Sequence, residues 1–169
     1  MEPNMFCYQC QETAKGTGCI LKGVCGKESH TAQAMDLLLF VVRGVSVVAD
    51  VLRKADCPVS EEVNIFVTDA LFCTITNANF DDESILKRVD KGITMRNGLI
   101  QEAKHNKVLL PKVDELTWQG TRDDYAGKAK TVGVLREQNE DLRSLKELLV
   151  YGLKGMAAYL EHVMPMGFN

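Results

Sequence analysis

The chain has no apolar run long enough to cross a bilayer. Its longest uninterrupted run, Leu37 to Val42, is six residues flanked by Asp36 and Arg43, against the roughly twenty that a spanning helix needs. It also lacks a positive charge excess: the formal net charge is −3 and the isoelectric point is near 5.6, which removes the usual electrostatic reason to expect nucleic acid as a partner. The opening Met1-Glu2-Pro3-Asn4 is polar and holds no basic segment leading into an apolar one, so the expectation is a protein that is not exported, cytoplasmic and without a membrane partner. Histidine is scarce, with three residues in all. His105 and His162 fall near helix ends, where a favourable dipole contact is the ordinary explanation. His30 follows the cysteine-rich segment and is close enough in sequence to stand behind a site built there.

Cysteine, by contrast, is concentrated. Four of the six cysteines, Cys7, Cys10, Cys19 and Cys25, lie in CYQCQETAKGTGCILKGVC, with gaps of two, eight and five residues. Four soft ligands on one short tether point to a metal centre, and the loops are long enough to wrap an inorganic core. Three chemistries compete for these thiols. Structural disulfides are disfavoured in a reducing compartment. A four-cysteine zinc site usually shows two tight knuckles, and only Cys7 and Cys10 form one. An iron–sulfur cluster accepts more varied spacing. Spacing alone ranks the cluster first and leaves zinc open.

Gly16, Gly18, Gly23 and Gly26 lie among the cysteines. They let the backbone turn tightly and would bring its N–H groups towards the sulfurs, although a merely compact loop would use glycine as well. Lys15, Lys22 and Lys27 are formally cancelled by Glu2, Glu12 and Glu28, so charge gives no docking argument here. Cys57 and Cys73 lie apart on separate predicted elements, and isolated cysteines of this kind are most often small buried hydrophobes.

The stretch MFCYQCQETAKGTGCILKGVCGK, from Met5 to Lys27, resembles the N-terminus of the hybrid cluster proteins, also called prismane proteins or hydroxylamine reductases. The segments ALFCTITNANFD, from Ala70, and NEDLRSLKELLVYGLKGMAAYLEHV, from Asn139, are similar to the same family. The resemblance therefore spans essentially the whole chain. It implies that Cys7, Cys10, Cys19 and Cys25 ligate a [4Fe-4S] cluster, since members with longer gaps carry a [2Fe-2S] cluster instead. It further implies an N-terminal helical region of two related three-helix bundles. Two later α/β domains, absent from this sequence, would hold the hybrid iron–sulfur–oxygen cluster where hydroxylamine, or nitric oxide, is reduced. Carbon monoxide dehydrogenases share that architecture, but the cysteine loop is closer to the hybrid cluster proteins.

Past the loop the pattern is helical, and the fold class expected is all-α. Residues 1–28 form the cluster-binding loop. Residues 29–105 form an antiparallel three-helix bundle. In it, Ser29 or Thr31 caps a helix to about Lys54 that is apolar on all sides. Ser60-Glu61-Glu62 opens a second helix carrying Val63, Phe66, Val67, Ala70, Leu71 and Ile75. Asp81 caps a third, with Phe80 and Ile85 placed as a hydrophobic staple and Leu86, Val89, Ile93, Arg96, Ile100 and Ala103 at helical spacing. Residues 106–138 are a long crossover with a short helix from Tyr125 to Leu135. Residues 139–169 begin a second bundle with one strong helix, capped by Asn139 and stopped by Pro165 and Gly167.

The last helix repeats the first. Asp36-Leu37-Leu38-Leu39-Phe40-Val41-Val42-Arg43-Gly44-Val45 aligns without a gap on Glu147-Leu148-Leu149-Val150-Tyr151-Gly152-Leu153-Lys154-Gly155-Met156, 111 positions later. A mid-helix glycine costs about 1 kcal/mol relative to alanine, so Gly44 and Gly155 predict close helix–helix contact at both points. The first copy is followed by two more helices and the second by six residues. The expectation is a chain that stops part-way through its second bundle and exposes apolar surface, which favours a homodimer or cover by the remaining domains of a parent protein. The function expected is electron entry: a one-electron carrier served by a redox donor protein, with no reductase activity of its own. A stand-alone electron-transfer or sensor protein and a zinc-binding structural module are the alternatives.

Overall fold

The structure is a computed structural model and describes residues 5–10, 13–75 and 79–163. Among the described residues there are six α-helices and no strand beyond a single bridge between Cys7 and Cys19, so the protein is all-α. No helix among them is long and apolar enough to cross a membrane.

Helix α1 runs from Ser29 to Lys54 and is the axis of the fold. Each residue from Leu37 to Val42 is buried, so neighbours surround the helix as its all-round apolar pattern requires. Its N-cap is Glu28, with no side-chain cap bond; Ser29 and Thr31 lie inside the helix rather than capping it. Helix α2, Glu61–Cys73, starts where Ser60 accepts a hydrogen bond from the Glu62 N–H. Helix α3, Asp82–His105, starts where Asp81 accepts from the Glu83 and Ser84 N–H groups. Both are the serine and aspartate caps the sequence predicts. The staple at α3 is half present: Ile85 is fully buried, but Phe80 is 47% exposed and its ring lies under the Lys27 ammonium, 4.2 Å from ring centroid to Nζ.

The three helices pack on one another, and Gly92 of α3 marks the tightest point. A Cβ there would stand 2.5 Å from Cγ1 of Val41 and 2.7 Å from Cζ of Phe66, so only glycine lets α3 approach both partners.

The crossover is more structured than its weak periodicity suggests. It holds α4, Asp114–Thr117, and α5, Arg122–Val132, with a 3-10 turn at Val134–Arg136. Helix α5 begins three residues before the predicted Tyr125 because Thr121 and Asp124 form a reciprocal capping box. Arg96 of α3, with no exposed surface, fastens this segment: its guanidinium donates to the carbonyls of Glu115 at 2.9 Å and Trp118 at 2.8 Å. Gly44 of α1 sits against the same place, where a Cβ would meet the Glu115 carbonyl oxygen at 2.5 Å. The close approach predicted at Gly44 exists, although the partner is the backbone of a short helix.

Helix α6, Glu140–Val163, starts where the Asn139 side chain accepts from the Leu142 N–H at 3.0 Å; the stop at Pro165 and Gly167 lies outside the described residues. It packs on α2. The contact predicted at Gly155 is absent among the described residues, since a Cβ there would have none of their atoms within 4 Å. The two copies of the repeat thus have opposite environments. Helix α6 turns Leu145, Leu148, Leu149, Met156 and Tyr159 to solvent and buries Lys154 and Ala157.

Candidate metal centre

The two ends of the cysteine loop are stitched by the Cys7–Cys19 bridge. Each residue donates its N–H to the other's carbonyl at 3.0 Å, which sets both cysteines side by side, buried, beside Met5 and Ala32. Gly18, at φ 122°, supports this pairing: a Cβ there would strike the Phe6 ring at 2.6 Å.

Cys25 is presented by a tight turn in which the Gly26 N–H donates to the Gly23 carbonyl and the Gly23 N–H to the Lys27 carbonyl, both at 2.8 Å. Gly26 takes φ 95°, and a Cβ on Gly23 would press on the Cys25 Sγ at 3.1 Å. The expectation that glycine N–H groups face the sulfurs is therefore corrected at three positions. Those of Gly16, Gly23 and Gly26 close turns within the loop, because a chain this compact must satisfy its own backbone first.

Cys7, Cys10, Cys19 and Cys25 all line one cavity, together with Gln9, Thr13, Gly23, Val24 and Lys27. The structure thus brings the four cysteines singled out in the sequence around a common space. They do not converge on one point: among the described residues, no three Cys, His, Asp or Glu side chains are gathered closely enough to hold a single metal ion. All six cysteines are free thiols. Burial pushes the Cys7 thiol up to about 11, against the backbone hydrogen bond from Gln9, so a thiolate there calls for a compensating positive centre.

Among the described residues, the Thr13 hydroxyl of the cavity wall is buried without a hydrogen-bond partner. The Lys27 ammonium also has none there, and lies over the Phe80 ring instead. A buried donor left unpaired costs about 1–3 kcal/mol, and an anionic, sulfur-rich group in the cavity would offer the Thr13 hydroxyl an acceptor. The donor set, the shared cavity and the unpaired Thr13 hydroxyl fit an iron–sulfur cluster.

The sequence reading missed the support behind the loop. Gln9, between Cys7 and Cys10, is 5% exposed, and its Nε2 donates to Asp36 Oδ1 at 2.9 Å. Its Oε1 accepts from the Lys154 ammonium, which also donates to the Thr74 carbonyl at 3.4 Å. Burial pushes Asp36 up to about 7, against the attraction of Lys154, and the same burial brings Lys154 down to about 8. The one available signal was a lysine on the α6 face opposite the leucines, and it reads as an ordinary solvated residue.

The remaining candidates stand apart from the cavity. Cys73 is a buried member of the helical core and Cys57 packs at its edge, as isolated cysteines do. His30 pairs with Asp82 at 2.8 Å on the surface instead of backing the cysteines. His105 lies in the last turn of α3, and His162 near the end of α6 bonds the Ala158 carbonyl.

The comparisons with known proteins bear on the family of the chain. The profile of the Prismane/CO dehydrogenase family matches residues 5–168. The chain belongs to that family. It is 55% identical over 167 residues to a hydroxylamine reductase of Bacteroides thetaiotaomicron, covering 98% of this chain and 30% of the relative. It is 48% identical over 169 residues to the hydroxylamine reductase of Porphyromonas gingivalis, covering 99% and 31%. The hydroxylamine reductase of Nitratidesulfovibrio vulgaris is 46% identical over 172 residues, covering 98% and 31%. The chain thus spans a little under a third of the length of these relatives.

Proposed function

We propose that this chain is the N-terminal electron-entry part of a hydroxylamine reductase, with a [4Fe-4S] cluster on Cys7, Cys10, Cys19 and Cys25. The observation that carries the reading is that these four cysteines line one cavity. Zinc would draw four sulfurs onto one ion at about 2.3 Å, whereas a cubane spreads its ligands around a larger core. The cysteine spacing, with a single tight knuckle at Cys7 and Cys10, favours the latter.

Such a cluster supplies one-electron transfer when bound. The chain's own residues prepare its seat. The Cys7–Cys19 bridge fixes two ligands relative to each other, the Gly23–Gly26 turn places the third, and the Thr13 hydroxyl offers a donor at the wall. Burial of Cys7 and Cys19 keeps water from that side. Reduction of hydroxylamine to ammonia belongs, in this reading, to a hybrid iron–sulfur–oxygen cluster in the two-thirds of the parent protein beyond this chain, which would also cover the exposed leucines of α6. The physiological donor is a cytoplasmic redox protein.

The test is iron and acid-labile sulfide content, with electronic and paramagnetic spectra, on chain purified without oxygen. About four irons and four sulfides, with a signal on reduction, are expected. Cys19→Ser should lose them and Cys57→Ser should keep them. Zinc in that anaerobic preparation would replace the reading with a structural module, and hydroxylamine turnover by this chain alone would refute the assignment of catalysis to the remainder.

A further inference from the structure

Lys154 is a lysine in an unusual place. Helix α6 leaves many of its large apolar side chains in solvent and buries this ammonium to 3% exposure. A buried charge is costly unless an opposite charge lies nearby. Yet the two acceptors that Lys154 touches, the Gln9 side-chain oxygen and the Thr74 carbonyl, are both neutral. Asp36 is held by the other end of the same Gln9 amide, one group further away. The carboxylates acting on Lys154 are Asp36 and Glu147; from the loop side Cys7 and Cys10 act on it as well once they are thiolates, and Gln9 lies between those two cysteines in the chain.

We propose that Lys154 is a potential-setting residue of the cysteine-bound centre: a buried counter-charge, delivered from α6 through Gln9 to the Cys7–Cys10 segment, that favours the reduced state, with Asp36 as the opposing charge. This rests on the iron–sulfur reading above. On reduction the centre gains one electron and one negative charge from an external reductant. A positive charge fixed at the loop lowers the free energy of the more negative state, and a carboxylate behind it works against that.

The experiment is a midpoint-potential titration at pH 7.5, followed by the visible and paramagnetic spectra, of wild-type chain, Lys154→Met and Asp36→Asn, each with its iron content measured. Lys154→Met should shift the reduction equilibrium at least tenfold towards the oxidised form, about 59 mV for a one-electron couple. Asp36→Asn should shift it the opposite way. Loosening of the loop would move both variants in the same direction, so opposite signs separate a charge effect from a structural one. Unchanged potentials, or shifts of one sign, would overturn the proposal. If Lys154→Met fails to fold or to hold iron, Asp36→Asn decides alone, and no upward shift there overturns it. A wild-type chain with iron and an unmoved variant series sinks only this inference, whereas a wild-type chain without iron sinks the cluster reading and this inference with it.

Discussion

The two glycines of the repeated segment, Gly44 and Gly155, should respond to alanine with opposite signs. In a helix interior, alanine gains about 1 kcal/mol over glycine. At Gly155 nothing among the described residues lies within 4 Å of the new methyl group, so that gain should appear nearly whole, about 0.5–1 kcal/mol. At Gly44 the methyl carbon would stand 2.5 Å from the Glu115 carbonyl oxygen and 3.0 Å from Cδ of Arg96. The first is a backbone atom, and it is already fixed as an acceptor of the Arg96 guanidinium at 2.9 Å. Relief requires α4 to move away from α1 and stretch that hydrogen bond. Overpacking of this kind costs about 1–3 kcal/mol, with up to about 1 more for the weakened bond. The propensity gain of about 1 kcal/mol offsets only part, leaving Gly44→Ala destabilised by up to about 3 kcal/mol. For a chain of this size each kcal/mol moves the melting temperature by roughly 2–4 °C. Thermal and urea unfolding of both variants, followed by far-ultraviolet circular dichroism, should place Gly44→Ala several degrees below wild type and Gly155→Ala slightly above. Equal shifts of either sign would refute the claim that the two copies have different environments.

Arg96→Met should remove both charged hydrogen bonds to the Glu115 and Trp118 carbonyls, at about 3–5 kcal/mol in total. Limited proteolysis should then cut first between residues 106 and 138, and an uncut, equally stable variant would show that this fastening is unimportant. Asp36 gives a pH signature in the metal-free chain. Its carboxyl is raised from the ordinary range to about 7, chiefly by burial, so the folded state holds a proton that the unfolded chain has released. That contribution is complete below about pH 4 and is lost as the pH rises through 7, by roughly 2–4 kcal/mol. Asp36→Asn should therefore gain stability relative to wild type between pH 4 and 7. A difference between the two that stays constant across that window would contradict the burial of the charge, which Lys154, Glu147 and Arg43 also face.

Much of the helical layout could be read from local chemistry. Ser60, Asp81 and Asn139 satisfy orphan N–H groups of the first turn within two or three residues of themselves, so these starts are visible in sequence. The Thr121–Asp124 box obeys the same chemistry but lies in a segment too weakly periodic to draw attention. The four-cysteine set was legible for a similar reason: ligands on a short tether announce themselves by spacing.

The sequence by itself determined the all-α class, the positions of α1, α2, α3 and α6, and which cysteines surround the cavity, because caps, helical periodicity and tethered thiols are properties of neighbouring residues. Only the tertiary structure decided which face of each helix is covered. Two segments with the same pattern, Asp36–Val45 and Glu147–Met156, end with opposite environments, since burial depends on what is packed alongside. It also decided that Lys154, 145 residues from Gln9, comes to rest behind the cysteine loop, because a contact across the fold has no signature in local sequence.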